Sequence, residues 1–148
     1  MRLSAKAPEM LSQFSELLTS SNLVPEGLEK ENLTLFYTTD ELEKVIGVIG
    51  VEVYGEACLL RSLAVCNGKR NLGIARNLIR EALEFARLEK SFNVYLITET
   101  IGDTMMRYGF NNVSREIVPP EILKSPFLNG ICPCSCPIMH KNVKESGV

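Results

Sequence analysis

The chain has 148 residues, 45% hydrophobic and 23% charged, with a formal net charge of −2 and five cysteines. That length corresponds to one domain, residues 1–148, large enough to bury roughly 68–70% of its unfolded surface without covalent staples. The slightly acidic balance, with a pI near 5.5, lacks the basic surplus of a nucleic-acid binder. The longest apolar run, Val45 to Val51, is far too short to span a bilayer as a helix, which needs ~20 residues. The first residues, Met1 to Pro8, contain no apolar stretch of the kind an export signal requires. An odd number of cysteines without such a signal reads as free thiols in a reducing compartment. The expectation is a cytoplasmic domain with neither membrane nor nucleic-acid partners.

In chain order, Pro8 suits a first helical turn, where its missing N–H is not needed, and Met10, Leu11, Phe14, Leu17 and Leu18 follow at helical spacing. Ser20, Ser21 and Asn22 end that run, and Pro25 to Lys30 reads as a short second helix. Leu33 to Thr38 is strand-like. Two Val- and Ile-rich segments, Lys44 to Val53 and Ala57 to Val65, flank Tyr54, Gly55 and Glu56 and predict a hairpin. After Cys66 to Gly73 an amphipathic helix opens. Ala75, Leu78, Ile79, Ala82, Leu83 and Ala86 form its apolar face, and Arg76, Arg80, Glu84 and Arg87 its polar one. Asn93 to Thr98 is a further strand, and Gly102 to Tyr108 a short helix stopped by Gly109. Pro119 and Pro120 mark a helix start within Val118 to Leu123, and Ile138 to Val143 a last strand. The pattern predicts an α/β (α+β) domain with a mainly antiparallel sheet.

The junction from Val65 to Ala75 carries the most chemistry. A strand runs into a short polar loop and then a helix N-terminus, where free N–H groups and the macrodipole attract phosphate. Gly73 permits close backbone approach, Ala75 leaves room, Arg70 offers a charge-assisted contact, and Lys69 and Arg76 add positive field. Arg70, Asn71, Leu72, Gly73, Ile74 and Ala75 match the pattern [Gln/Arg]-x-x-Gly-x-[Gly/Ala]. An ordinary strand-to-helix turn containing a glycine gives the same string.

Leu63-Ala64-Val65 ahead of that loop, the helix behind it, and Tyr108-Gly109-Phe110 after a further strand and short helix together resemble the GNAT N-acetyltransferase superfamily. The likeness is closest to the small N-acetyltransferases of arsenic-resistance operons. It rests on Val48 through Val53, on Tyr54-Gly55, on Leu59-Leu60-Arg61-Ser62-Leu63-Ala64-Val65, and on Cys132-Pro133. The resemblance implies a mixed, mainly antiparallel sheet of about six to seven strands with about four helices. It also implies a V-shaped opening between the fourth and fifth strands for acetyl-CoA, the acyl donor. No metal is expected. By the same resemblance, Leu63, Ala64, Val65, Arg70, Asn71, Leu72, Gly73, Ile74, Ala75, Thr98 and Met105 contact the donor. Asn22, Arg61 and Thr100 bound the acceptor, a small-molecule amine such as an amino acid or its analogue. Many members form homodimers, which implies one here by analogy only.

Direct acetyl transfer needs a free amine, a stabilised oxyanion and a proton for the departing thiolate. Backbone N–H groups of Leu63 to Val65 are the candidate oxyanion contact. Members often carry a tyrosine four residues before the glycine of the Gly-Phe pair as the acid; this chain has Met105, so the donor is unassigned. Tyr108 is a weak substitute or a packed side chain. Glu99 is a base acting through water or a surface carboxylate. Strict alternation turns Leu59, Arg61 and Leu63 one way, and the resemblance implies that this side faces the cleft. Arg61 then either clamps an acceptor carboxylate or pairs with Glu52 or Glu56 across the hairpin. His140, the only histidine, reads as a solvated strand-end residue or a poor base. Cys132, Cys134 and Cys136 either bind a soft ion or are small apolar residues near the last strand, since their spacing is not that of a structural zinc site. A second class of function, a non-catalytic acyl-CoA-binding or thiol/metal-sensing protein, is compatible with Met105 and those thiols.

Overall fold

A computed structural model describes residues 2–3, 8–21, 32–66, 68, 73–97, 102–124 and 137–144. The strands are β1 (Arg2–Leu3), β2 (Leu33–Thr39), β3 (Val45–Tyr54), β4 (Ala57–Val65), β5 (Asn93–Ile97), β6 (Asn111–Val113) and β7 (Ile138–Asn142). The helices are α1 (Pro8–Ser20), α2 (Ile74–Leu88), α3 (Gly102–Met106) and α4 (Pro120–Leu123), with a 3₁₀ turn at Arg115–Ile117 before α4. The strands form a single sheet in the order β1-β2-β3-β4-β5-β7-β6. All neighbours are antiparallel except β4 and β5. The mixed α/β class and the predicted meander are therefore present. The short strands β1 and β6, too brief to show periodicity, add to it, and the predicted helix at Pro25 to Lys30 lies outside the described residues.

Each face of the sheet is covered for a legible reason. Helix α2 lays Leu78, Ile79, Ala82, Leu83 and Ala86 on one face, against Phe36, Ile49, Val51, Cys58, Leu60, Val94 and Leu96. Those five helical positions recur every three or four residues, so one stripe is dry and Arg76, Arg80 and Glu84 face water. On the other face, Phe14, Leu17 and Leu18 of α1 pack on Leu33, Leu35, Tyr37, Val48 and Ala64. Beside that cluster, Ala57, Leu59 and Tyr95 meet Ile122 of α4. No described helix is long and apolar enough to cross a membrane.

Candidate functional site: a fork between β4 and β5

Two adjacent strands part company at one point. β4 and β5 are registered in parallel at Ala57↔Asn93, Cys58↔Val94 and Leu59↔Tyr95, and among the described residues the pairing ends there. Both strands continue, β4 to Val65 and β5 to Ile97. Past Leu59 the backbone of β4 is therefore no longer registered with β5, and a cleft opens between the two.

The departure coincides with a bulge. The pairing of β3 with β4 passes from Gly50↔Arg61 to Val48↔Ala64, so three steps on β4 span two on β3. Ser62 absorbs the surplus with φ of 61°, the left-handed region that a β-carbon disfavours. The bulge also overturns the strict alternation expected for this strand. Leu59 packs with the α4 cluster, whereas Leu63 and Val65 pack with the α2 cluster and Ala64 with α1. Leu63 thus faces opposite to Leu59 and Arg61, because one inserted residue shifts every side chain after it to the other side.

Arg61 is committed within the protein. Its Nη1 donates to Glu52 Oε2 at 2.8 Å and its Nε to Ser62 Oγ at 2.9 Å, and both members of the ion pair have fully buried side chains. Glu52 lies opposite Leu59, which makes it the diagonal same-face neighbour of Arg61. Tyr54 donates its hydroxyl to the other oxygen of Glu52. Of the two readings of Arg61, the structure contains the Glu52 pair. The guanidinium is buried in that pair rather than open to solvent.

The helix start lies beside the far end of β4, since Gly47, the register partner of Val65, stands against Ile74. Gly73 caps α2 with φ 79° and ψ 8°, and its carbonyl accepts from Asn77 N–H. No acidic residue stands in the first turn, so the positive end of the helix is left uncompensated by its own side chains. Gly47 anchors this end. It is the register partner of Val65 at the end of β4, and a β-carbon there would lie 2.8 Å from Ile74 Cγ2. Only hydrogen at position 47 lets α2 begin so close to the sheet. The chemistry suits a pyrophosphate: among the described residues a β-carbon at Gly73 would have nothing within 4 Å, leaving the backbone open to an anion on that side.

Other expected site residues are placed as follows. Met105 is 1% exposed inside the α2 cluster that also contains Leu96 and, at its margin, Leu63. Tyr108 is half-buried against the same cluster, and its carbonyl accepts from Lys141 Nζ. His140 is not a solvated strand-end residue. It is half-buried, its Nε2 lies 2.9 Å from Asn93 Oδ1, its ring stands 4.9 Å from that of Tyr95, and burial lowers its pKa. Arg70, Asn71, Leu72, Asn22, Thr98, Glu99, Thr100 and the three clustered cysteines lie outside the described residues. Among the described residues no group of three metal-ligating side chains occurs. Sequence reasoning missed the bulge and the Tyr54 contact. The available signal was the polar set Glu52, Arg61 and Ser62 interrupting two otherwise apolar strands.

Comparison with known proteins agrees with this architecture. A family model described as "Acetyltransferase (GNAT) family" matches residues 6–107. No curated protein matches the sequence. Among solved structures, a GNAT-family acetyltransferase of Staphylococcus aureus Mu50 superposes with TM-score 0.73 at 15% identity, over 97% of this chain and 99% of its own. N-acetylglutamate synthase of Neisseria gonorrhoeae, complexed with coenzyme A and N-acetyl-glutamate, gives 0.78 at 14% identity; the match covers 96% of this chain but 35% of that one. An aminoglycoside 6'-N-acetyltransferase complexed with coenzyme A gives 0.72 at 15% identity, with both chains fully covered.

Proposed function

We infer, from the premise that this chain belongs to the acetyltransferase (GNAT) family and is an N-acetyltransferase, that it moves an acetyl group from acetyl-CoA directly to the amine of a small molecule. The observation that carries the reading is the convergence of three features on one cleft: the parted strands, the bulged end of β4 and the uncompensated start of α2. The proposal takes residues 1–148 as one catalytic domain, supported by superposition on single-domain-sized structures over nearly their whole length.

In this reading the N–H groups at the start of α2, with Arg70 to Ala75, hold the pyrophosphate of the donor, and Leu63 to Val65 hydrogen-bond its pantetheine arm. The amine nitrogen attacks the thioester carbon, the carbon–sulfur bond breaks, the nitrogen loses a proton and the thiolate gains one. Backbone N–H groups at Leu63 to Val65 stabilise the oxyanion between those events. Holding both reactants in one cleft supplies much of the remaining acceleration. Met105 carries no transferable proton, so the thiolate is protonated from elsewhere; Tyr108 and Glu99 are the side chains to test. Thr98 lies along the donor, while Asn22 and Thr100 bound the acceptor.

We propose an amino acid or amino-acid analogue as acceptor. The support is the likeness of Val48 to Val65 to the arsenic-resistance-operon enzymes, together with a fold neighbour bound to N-acetyl-glutamate. A cytoplasmic homodimer is proposed on family analogy.

Calorimetric titration with acetyl-CoA, on the parent and on Gly73→Glu, tests the reading. Micromolar binding by the parent that is lost in the variant is expected, followed by acetylated products from a panel of amines and amino acids read by mass. No binding to the parent overturns it.

A further inference from the structure

The ion pair at the fork is chemically out of keeping with its strands. Glu52 is 0% and Arg61 3% exposed, in a sheet whose other buried side chains are almost all apolar. Well-packed apolar residues in place of such a pair are often as stable or more so, so stability alone does not account for it. Beside it stands a strained residue, Ser62, left-handed without being glycine. Strain of that kind persists only where neighbouring structure over-determines it.

The two oddities are one unit. The guanidinium of Arg61 reaches back to Glu52 on β3 and sideways to the hydroxyl of Ser62, its own neighbour in the bulge. Tyr54 steadies the far oxygen of Glu52. Gly50, directly opposite Arg61, leaves room for the arginine stem: a β-carbon there would come within 3.3 Å of Arg61 Cγ and 2.9 Å of Leu33 Cδ1. Arginine suits this position because two donors in one rigid plane must serve two acceptors at once, which an ammonium does not reproduce. All of this lies at the second residue past the last β4–β5 pair, at the throat of the cleft.

We propose that Arg61 is a positioning residue for acyl transfer: held between Glu52 and Ser62, it sets the bulge so that the following backbone N–H groups, within Leu63 to Val65, aim into the fork at the acyl carbonyl. The proposal rests on the acetyl-CoA reading above. It assigns Arg61 an effect on the carbonyl rather than on donor affinity, since the pyrophosphate end is held by α2.

The test uses acetyl-CoA labelled with ¹³C at the thioester carbonyl, and the infrared band of that carbonyl when bound. In the parent the band shifts to lower frequency, because hydrogen bonds polarise it. In Arg61→Met and Arg61→Lys the shift is lost while the dissociation constant for acetyl-CoA stays within about threefold. Ser62→Ala loses part of the shift. The double variant Glu52→Leu/Arg61→Met guards against misfolding, since removing both charges restores the melting temperature without restoring the shift. With any amine that turns over, kcat falls about 10²-fold in the Arg61 variants at little change in acceptor KM. A shift retained in Arg61→Met or in the double variant overturns the proposal, as does a parent that binds acetyl-CoA with no shift. A parent that does not bind acetyl-CoA instead removes the functional reading on which the proposal stands.

Discussion

Asn93 on β5 and His140 on β7 meet across the sheet, with Asn93 Oδ1 and His140 Nε2 2.9 Å apart, while the imidazole leans on the ring of Tyr95. Tyr95 is also the last residue of β5 registered with β4, so this contact braces the strand where the fork begins.

Protonation of His140 is therefore expected to weaken the fold. Burial lowers its pKa below the ordinary 6.5. Between the folded value and 6.5 the unfolded chain binds a proton that the folded chain does not, so stability rises with pH in that window. This contribution is intact above about pH 6.5 and is lost as pH falls through the window. Urea midpoints at pH 7.5 and pH 5 should differ more for the parent than for His140→Gln. Equal differences would exclude His140 as the source.

Cys58 should be chemically silent in the native protein. It is fully buried, its thiol lies 3.8 Å from the Ser91 carbonyl, and desolvation pushes its pKa up to about 12. Thiolate is the reactive form, so alkylation at pH 8 should leave Cys58 unlabelled until denaturant is added. Half-buried Cys66 is expected to label first of the two. Peptide mass mapping over time checks the order.

Gly73→Ala should lose about 1–2 kcal/mol of stability, because alanine at φ 79° clashes with its own backbone although no described residue lies within 4 Å of the added methyl. Gly73→Asn should lose less, since asparagine tolerates that region. Urea denaturation ranks the two; a larger loss in Gly73→Asn would contradict the conformational cause.

Gly47→Ala is expected to act through α2 rather than through its own strand. The added methyl would meet Ile74 Cγ2 at 2.8 Å and Leu78 Cδ1 at 3.1 Å, so the start of the helix must lift. A stability loss of about 1–3 kcal/mol is expected, with weakened acetyl-CoA affinity from the displaced helix start. Unchanged affinity in a folded variant would separate the helix start from the donor site.

Much of this was legible in the sequence because it obeys periodicity. The stripe from Leu78 to Ala86 and the paired runs around Gly55 predict α2 and the β3–β4 hairpin, and the structure contains both. Gly73 at the helix start was legible for a related reason, since a strand, a polar loop and a glycine announce an N-terminus. What periodicity cannot carry is its own interruption. The bulge at Ser62 breaks the two-residue repeat without any glycine or proline to mark it, so the side of Leu63 was misassigned. The half-burial of His140 depends on β7 pairing with β5, a contact between positions 47 residues apart. Strands as short as β1 and β6 exist only because neighbours recruit their backbones.

The three registered pairs between β4 and β5 make a mechanical seam in the sheet. On one side lie β1 to β4, on the other β5, β7 and β6, and little backbone hydrogen bonding stitches the halves together. Helix α2 acts as a splint across that seam: Leu78, Ile79 and Leu83 share one cluster with Ile49 and Leu60 on the near side and with Val94, Leu96 and Met139 on the far side. The width of the cleft is thus governed by side-chain packing behind it rather than by the sheet itself. Because the helix that splints the seam also begins beside the end of β4, a shift of its body would move its first turn and the separation of the two halves together.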